Sequence, residues 1–208
     1  MSEKDCGQHG WKRKQLIRRL CAALGLFVLL ILVVILLVWL ILRPTKPQLT
    51  LQDVTVYQFN VTYPNFLTSS IQVTVQSRNP NDKIGIYYDK LDIYASYRDQ
   101  QITLPTLLLP TYEGHKGIDV WSPFVAGNSV PIAPYLATSL TQDQSSGFIL
   151  INVKLYGKLR WKVGTWVSDH YRINVNCPAY IRFGTPGAGL TVYTGIKYQL
   201  SQSCSTDI

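Results

Sequence analysis

Ser168-Asp169-His170 sets a hydroxyl, a carboxylate and an imidazole in consecutive positions, the three residue types of an acyl-transfer triad. Neighbours along a chain rarely face one another as a triad must, and no Gly-x-Ser-x-Gly elbow is present. The stretch reads as a turn before a strand. His115 and Asp119 offer two metal ligands, but a third is not evident, and Glu113 to Gly117 reads as a loop. His9 stands alone near the N-terminus, and no glycine-rich phosphate cradle occurs. The expectation is a protein with no catalytic residue, no metal site and no cofactor.

Binding chemistry is better represented. From Ile149 to Val163 the odd positions include Ile149, Ile151, Val153, Leu155, Leu159 and Trp161, while the even ones include Lys154, Lys158, Arg160 and Lys162. A period of two sends these sets to opposite faces of a strand. The four cations then line roughly 25 Å at about 3.3 Å per residue. Such a stripe is a candidate surface for an acidic polymer or anionic lipid headgroups. The competing and preferred expectation is a solvated face whose charges pair with Asp or Glu on adjacent strands. Tyr87, Tyr88, Tyr112, Trp121 and Trp166 are further candidates for a recognition surface, whereas Trp161 falls on the apolar phase and reads as core.

The elements that must carry these residues are mostly strands. Ile71 to Ser77 and Leu91 to Tyr97 alternate apolar and polar residues, as a sheet with one wet face requires. Further strands are expected at 49–61, 101–109, 118–125, 171–177 and 191–200. A phase slip between Leu51 and Val54 predicts a bulge near Asp53. The Tyr156-Gly157 step is a second candidate bend. Turn signals lie at Asn79-Pro80-Asn81-Asp82, Arg98-Asp99, Ala126-Gly127-Asn128 and 184–189. One short helix is expected over 135–142. Seven or more short strands with regular turns predict an antiparallel β-sandwich.

Ahead of these strands runs Leu20 to Leu42, 23 residues without a charge, closed by Arg18-Arg19 and by Arg43-Pro44. An α-helix of that length reaches about 35 Å, enough to cross a hydrocarbon core of about 30 Å. Its apolar core is too long for a cleaved signal peptide and no Ala-x-Ala site follows, so it reads as a retained anchor. The flank before it carries Lys4, Lys12, Arg13, Lys14, Arg18 and Arg19 against Glu3 and Asp5, whereas 13 Lys/Arg and 10 Asp/Glu are spread over residues 44–208. The denser basic flank should stay in the cytosol and hold the inner leaflet, with the C-terminal domain translocated. The organisation expected is a basic tail (1–19), a transmembrane anchor (20–42), a linker (43–48) and an extracytoplasmic domain (49–208).

Translocation brings chemistry of its own. Cys177 and Cys204 would be the two thiols of the outer domain and would tend to pair in an oxidising compartment. Asn60-Val61-Thr62 is a glycosylation sequon 18 positions past the span. Cys21, at the cytosolic headgroup zone, is a candidate for palmitoylation. A small excess of positive charge outside the cell disfavours a nucleic-acid partner.

Several strings in order resemble one family. They are Ser77-Arg78-Asn79-Pro80-Asn81, Ile84-Gly85-Ile86-Tyr87-Tyr88-Asp89 and Pro110-Thr111-Tyr112-Glu113-Gly114-His115-Lys116. Val120-Trp121-Ser122-Pro123-Phe124, Gly157 to Gly164 and Asn176-Cys177-Pro178-Ala179-Tyr180 follow. With the basic tail and single span, they resemble the plant harpin-induced-like, non-race-specific-disease-resistance-like membrane proteins. Their outer domain is the group-2 late-embryogenesis-abundant, or water-stress and hypersensitive-response, type. The resemblance implies an immunoglobulin- or fibronectin-like β-sandwich with one short helix, held at the plant plasma membrane. It implies a role in defence and in abiotic stress, and no active site; the expectation built on it is a non-enzymatic protein that engages a cell-wall polymer or a membrane co-receptor. The alternative it leaves open is structural protection of the membrane–wall contact during dehydration.

Overall fold

In a computed structural model the described residues are 6–41, 44–182 and 196–208. The chain divides into two compact units, Met1–Arg43 and Pro44–Ile208. The first contains helix α1 (Cys6–Ile41). Within it Leu16–Leu37 is long and apolar enough to cross a membrane, with every described side chain outward and unburied. The helix starts well before the apolar run, so Lys12 to Lys14 and Arg18-Arg19 continue the same helix.

The second unit begins with extended residues 44–47 and the strand β1 (Gln48–Thr62), one residue ahead of the expected domain start. There follow β2 (Phe66–Arg78), β3 (Ile84–Tyr97), β4 (Gln100–Gln101), β5 (Thr106–Leu108), β6 (Thr111–Glu113), β7 (Ile118–Trp121) and β8 (Phe124–Pro131). After helix α2 (Pro134–Ser145) come β9 (Phe148–Val163), β10 (Trp166–Val167), β11 (Tyr171–Arg182), β12 (Ile196–Ser203) and β13 (Ser205–Asp207). They form two antiparallel sheets. The smaller runs β12-β1-β2-β7, with β8 also on β2; the larger runs β13-β11-β9-β3-β4, with β10 on β9 and β5 and β6 on β3.

Alternation does what it must in such sheets. Val54, Ile71, Val73 and Val75 from one sheet and Ile86, Ile93, Ile151, Val153, Leu155, Leu159 and Trp161 from the other join one buried cluster. Each large aliphatic side chain so buried contributes about 1.5–3 kcal/mol. The register of β1 shifts between Leu51 and Asp53 against both neighbours, at the expected bulge. Arg98 and Asp99 both take positive φ (44° and 65°), the twist that a tight hairpin needs. Helix α2 buries Leu136 and Leu140 in the core and is tied to this hairpin by polar contacts, as Arg98 reaches Ser139 and Asp143. Burial and the bond to Asp143 push the Tyr97 hydroxyl up to about 12.

The bend expected at Tyr156-Gly157 has a different origin. The bulge lies on the partner strand, where β3 inserts Asp89 between the pairs Tyr88–Leu159 and Lys90–Lys158. This drives the backbone of Lys90 and Leu91 into the space where a Cβ of residue 157 would sit, and glycine is what leaves room.

Three of the six strings that carry the family resemblance meet in one buried polar knot. Asn79 donates through Nδ2 to the carbonyls of Ile84 (2.7 Å) and Gly114 (2.9 Å). Its Oδ1 accepts from the backbone and side-chain nitrogens of Asn81. Asn81 in turn clamps Thr45, accepting from its N–H and donating to its carbonyl, each at 2.8 Å, which ties the linker to the β2–β3 loop. Beside them the Glu113 carboxylate, 1% exposed, accepts from Ser77 Oγ (2.8 Å) and the Tyr88 hydroxyl (3.1 Å). Burial raises the pKa of Glu113 above its ordinary range, against the lowering effect of these bonds. Burial and the Glu113 charge hold the Tyr88 hydroxyl well above its own.

Two outcomes test this account. Gly157→Ala should cost about 1–3 kcal/mol of unfolding free energy, because main chain rather than a flexible tip must give way. Gly114→Ala, where a Cβ meets open space, should cost far less; equal losses in urea titrations would remove the bulge argument. A raised folded pKa gives stability that is full below the unfolded value and lost as pH rises through the folded one. Wild-type protein should therefore gain stability on acidification from neutrality toward the ordinary Glu range, and Glu113→Gln should flatten that gain. Parallel curves for the two proteins would show that Glu113 titrates normally.

Candidate functional site

The outer face of the larger sheet carries the four cations of β9, and their environments differ. Arg160 is locked: its Nε and Nη2 donate to both carboxylate oxygens of Asp89 at 2.7 and 2.6 Å. The β3 bulge aims Asp89 at that guanidinium, whose hydrogen bonds hold the carboxyl below its usual range. His170 Nε2 lies 3.6 Å from the same carboxylate. Lys162 donates to the Tyr87 hydroxyl (3.3 Å) and stands 4.9 Å from the Tyr112 ring centre. That hydroxyl raises the pKa of Lys162. Lys154 reaches Asp99 of the hairpin at 3.0 Å, a pair whose carboxylate is 90% exposed and therefore weakly bound.

Lys158 is different. It is exposed and has no anionic partner among the described residues. Its register partners are Lys90 on β3 and Arg172 on β11, so three cations stand on one line across three hydrogen-bonded strands. Lys90 has a loose contact of 3.7 Å to Asp92; Arg172 is exposed without an ion pair among the described residues. Lys90 and Arg172 were invisible in the stripe because only strand pairing brings them to it.

One step along the sheet the face changes character. Tyr94 and Tyr156 meet edge to face, ring centres 5.8 Å apart. With Lys154, Asn174, Asn176 and Asp207 they line a shallow depression of about 150 Å³.

The remaining sequence candidates fall elsewhere. Ser168 Oγ accepts from the Trp161 N–H (2.9 Å) and donates to the Asp169 carbonyl (2.8 Å), so its hydroxyl serves the turn before β11. His115 is exposed in the turn after β6, and no group of three or more His, Cys, Asp or Glu able to hold a metal occurs among the described residues. Cys177 and Cys204 are joined, with Cα atoms 4.3 Å apart. Cys204 sits between β12, which pairs β1 in the smaller sheet, and β13, which pairs β11 in the larger. The bridge thus fastens the C-terminal segment where it crosses between the sheets. Asn60 is exposed near the end of β1, accessible to a glycan, and Cys21 is an exposed thiol on α1.

The family model described as late embryogenesis abundant protein (LEA_2) matches residues 74–178. NDR1/HIN1-like protein 1 of Arabidopsis thaliana is 51% identical over 208 residues, covering 99% of this chain and all of that one. NDR1/HIN1-like protein 12 from the same plant is 49% identical over 210 residues, with both chains fully covered. A solved protein from Archaeoglobus fulgidus aligns over 65% of this chain and 99% of its own, at 11% identity and a TM-score of 0.32. The fold assignment rests instead on the two antiparallel sheets themselves. With a family model over half its length and relatives matched end to end, the chain belongs to the NDR1/HIN1-like family of LEA_2 proteins, a defence- and stress-related family.

Proposed function

We propose that this protein is a non-enzymatic, single-pass plasma-membrane protein whose β-sandwich lies outside the cell and acts in defence by binding at the membrane–wall interface. The observation that carries the reading is a separately packed domain, stapled by a cysteine bridge, that follows an apolar helix with a basic N-terminal flank. Disulfides persist in oxidising compartments, and a dense basic flank stays cytosolic. The exposed Asn60 sequon suits the same orientation. The face best equipped for a partner is the outer side of the larger sheet, where Lys158 and Arg172 have no anionic partner among the described residues and Lys90 holds Asp92 only at 3.7 Å. An acidic wall polymer or an acidic patch on a membrane co-receptor would supply one.

The family's own description, late embryogenesis abundant, favours a second reading, protection of the membrane–wall contact during dehydration. The two separate on one charge. Reversal at Lys158 should abolish a defence output that depends on ligand binding, and should leave a general protective effect on dehydrated cells unchanged.

Topology is tested with a C-terminally tagged full-length chain in sealed microsomes. The tag should resist added protease, and a glycosidase-sensitive mass shift should vanish in Asn60→Gln. A thiol-reactive mass label should leave Cys177 and Cys204 unmodified until reductant is added. A digested tag, no glycosidase shift and freely labelled cysteines would place the sandwich in the cytosol and end the proposal.

A further inference from the structure

We infer that the outer face of the larger sheet contains a built subsite for an acidic polysaccharide of the uronate type, formed by the Lys90–Lys158–Arg172 row and the adjoining Tyr156 shelf. The inference rests on the reading of this domain as an external binding module and names the ligand class of its open face.

The first argument is electrostatic. Like charges directly opposite on neighbouring strands, with Cβ atoms about 5 Å apart, are destabilising. Here three adjoining strands each contribute one cation to the same line, held in register by the β3 bulge and Gly157. A sheet that keeps this arrangement gains when a multivalent anion lies across it. Elsewhere on the same face the β9 cations have closer partners: Arg160 has Asp89, Lys162 has tyrosine hydroxyl and ring, and Lys154 has the exposed Asp99 at 3.0 Å. The unmet demand for negative charge is therefore local, and centred on Lys158.

The second argument is the chemistry next door. Tyr156 is two residues from Lys158 on β9, 41% exposed, and held edge-on by Tyr94. An aromatic ring presented in this way is an apolar platform for the flat side of a sugar. Asn174 faces Tyr156 across the β9–β11 pairing and Asn176 faces Lys154. Both amides are without a hydrogen-bond partner among the described residues, and each offers two donors and an acceptor suited to hydroxyls. Asp92 and Asp207 flank this shelf; the first contacts Lys90 and the second Lys46, each at 3.7 Å. A polymer bearing carboxylates and hydroxylated rings in alternation fits a face bearing cations, a ring and amides in sequence. Lipid headgroups would use the cations and leave the amides and the ring facing water. A single-stranded nucleic acid would use ring and cations, but the translocated domain would not meet it.

The test uses the purified full-length chain in nanodiscs of uncharged lipid, with soluble polygalacturonate as probe and neutral galactan as control. Saturable binding to polygalacturonate alone is expected, weakened at least 10-fold by Lys158→Glu and at least 5-fold by Tyr156→Ala or Asn174→Ala/Asn176→Ala. Lys162→Ala should change it less than twofold. Lys158→Glu should unfold at a temperature no lower than wild type, since it relieves the like-charge row, so its lost binding cannot be ascribed to misfolding. No binding to polygalacturonate would overturn the inference. So would binding that ignores Tyr156→Ala, or that dextran sulfate, a DNA oligonucleotide or anionic vesicles match through the same residues, because the face would then be a plain cation patch. The assay is independent of cellular topology. Failure of binding with an external domain sinks the subsite alone, whereas binding by a domain shown to be cytosolic sinks the proposed function instead.

Discussion

The contact between the β3 bulge and Gly157 is the constraint on which the working face depends. One residue more on β3 than on β9 requires the bulged backbone to go somewhere, and it goes into the volume a side chain at 157 would fill. Three consequences follow from that single insertion. Asp89 turns toward Arg160 and neutralises it. The phase of β3 beyond the bulge brings Leu91 and Ile93 inward. Lys90 arrives opposite Lys158 on the outer face. Without the extra residue, every side chain on one half of β3 would exchange faces. Charge pairing on one side of the bulge and charge crowding on the other thus have the same cause.

A second constraint acts at the end of the sandwich where the chain enters. The linker residue Thr45 is clamped by Asn81, the C-terminal segment is fastened through Cys204, and the Cys204 N–H donates to the Leu49 carbonyl. Entry and exit of the chain are therefore held within one neighbourhood. A disulfide closing a loop of this length contributes about 3 kcal/mol, mainly by restricting the unfolded chain. Without it, a terminal strand as short as β13 would rest on little more than its three residue pairs with β11. Side-chain amides at Asn79 and Asn81 do the comparable task at the entry, satisfying loop carbonyls that no strand partner reaches.

Much of this was legible in the sequence, and the reasons for the rest are specific. Alternation marked β2, β3 and β9, because a period of two needs no knowledge of neighbours. The slip between Leu51 and Val54 marked the β1 bulge, since a bulge shows as a phase change on its own strand. The cause of the glycine at 157 lies on another strand, where the apolar phase slips from Ile84, Ile86 and Tyr88 to Leu91 and Ile93; that slip is legible too, but a strand expected only from Leu91 onward does not reach it. The cation stripe was legible as four residues on one strand. Which of them are spent is decided by Asp89, Asp99 and Tyr87, and which are joined by others is decided by Lys90 and Arg172. Both facts belong to strand pairing, which periodicity does not report. Short strands such as β5, β6 and β10, of two or three residues, are too brief for any period to register.

The strings that identify the family hold both buried residues and residues that face outward. Ser77, Asn79, Asn81, Tyr88, Glu113 and Trp121 lie in the recognisable strings, and all are buried. Ser77, Asn79, Asn81 and Tyr88 spend their polar groups on backbone carbonyls, on one another, on Glu113 and on the linker, whereas Glu113 Oε1 and Trp121 Nε1 are buried without a hydrogen-bond partner among the described residues. Tyr156, Arg172 and Asn174 lie outside those strings and reach solvent. Lys158 and Asn176, however, lie in two other of those strings and reach solvent, so a polar residue in a family motif serves the frame or the open face according to its place in the sheet. The register of β3, β9 and β11 sets positions 90, 158 and 172 in line. The frame is argued from the buried strings, and the ligand from the side chains that strand pairing brings to one exposed line.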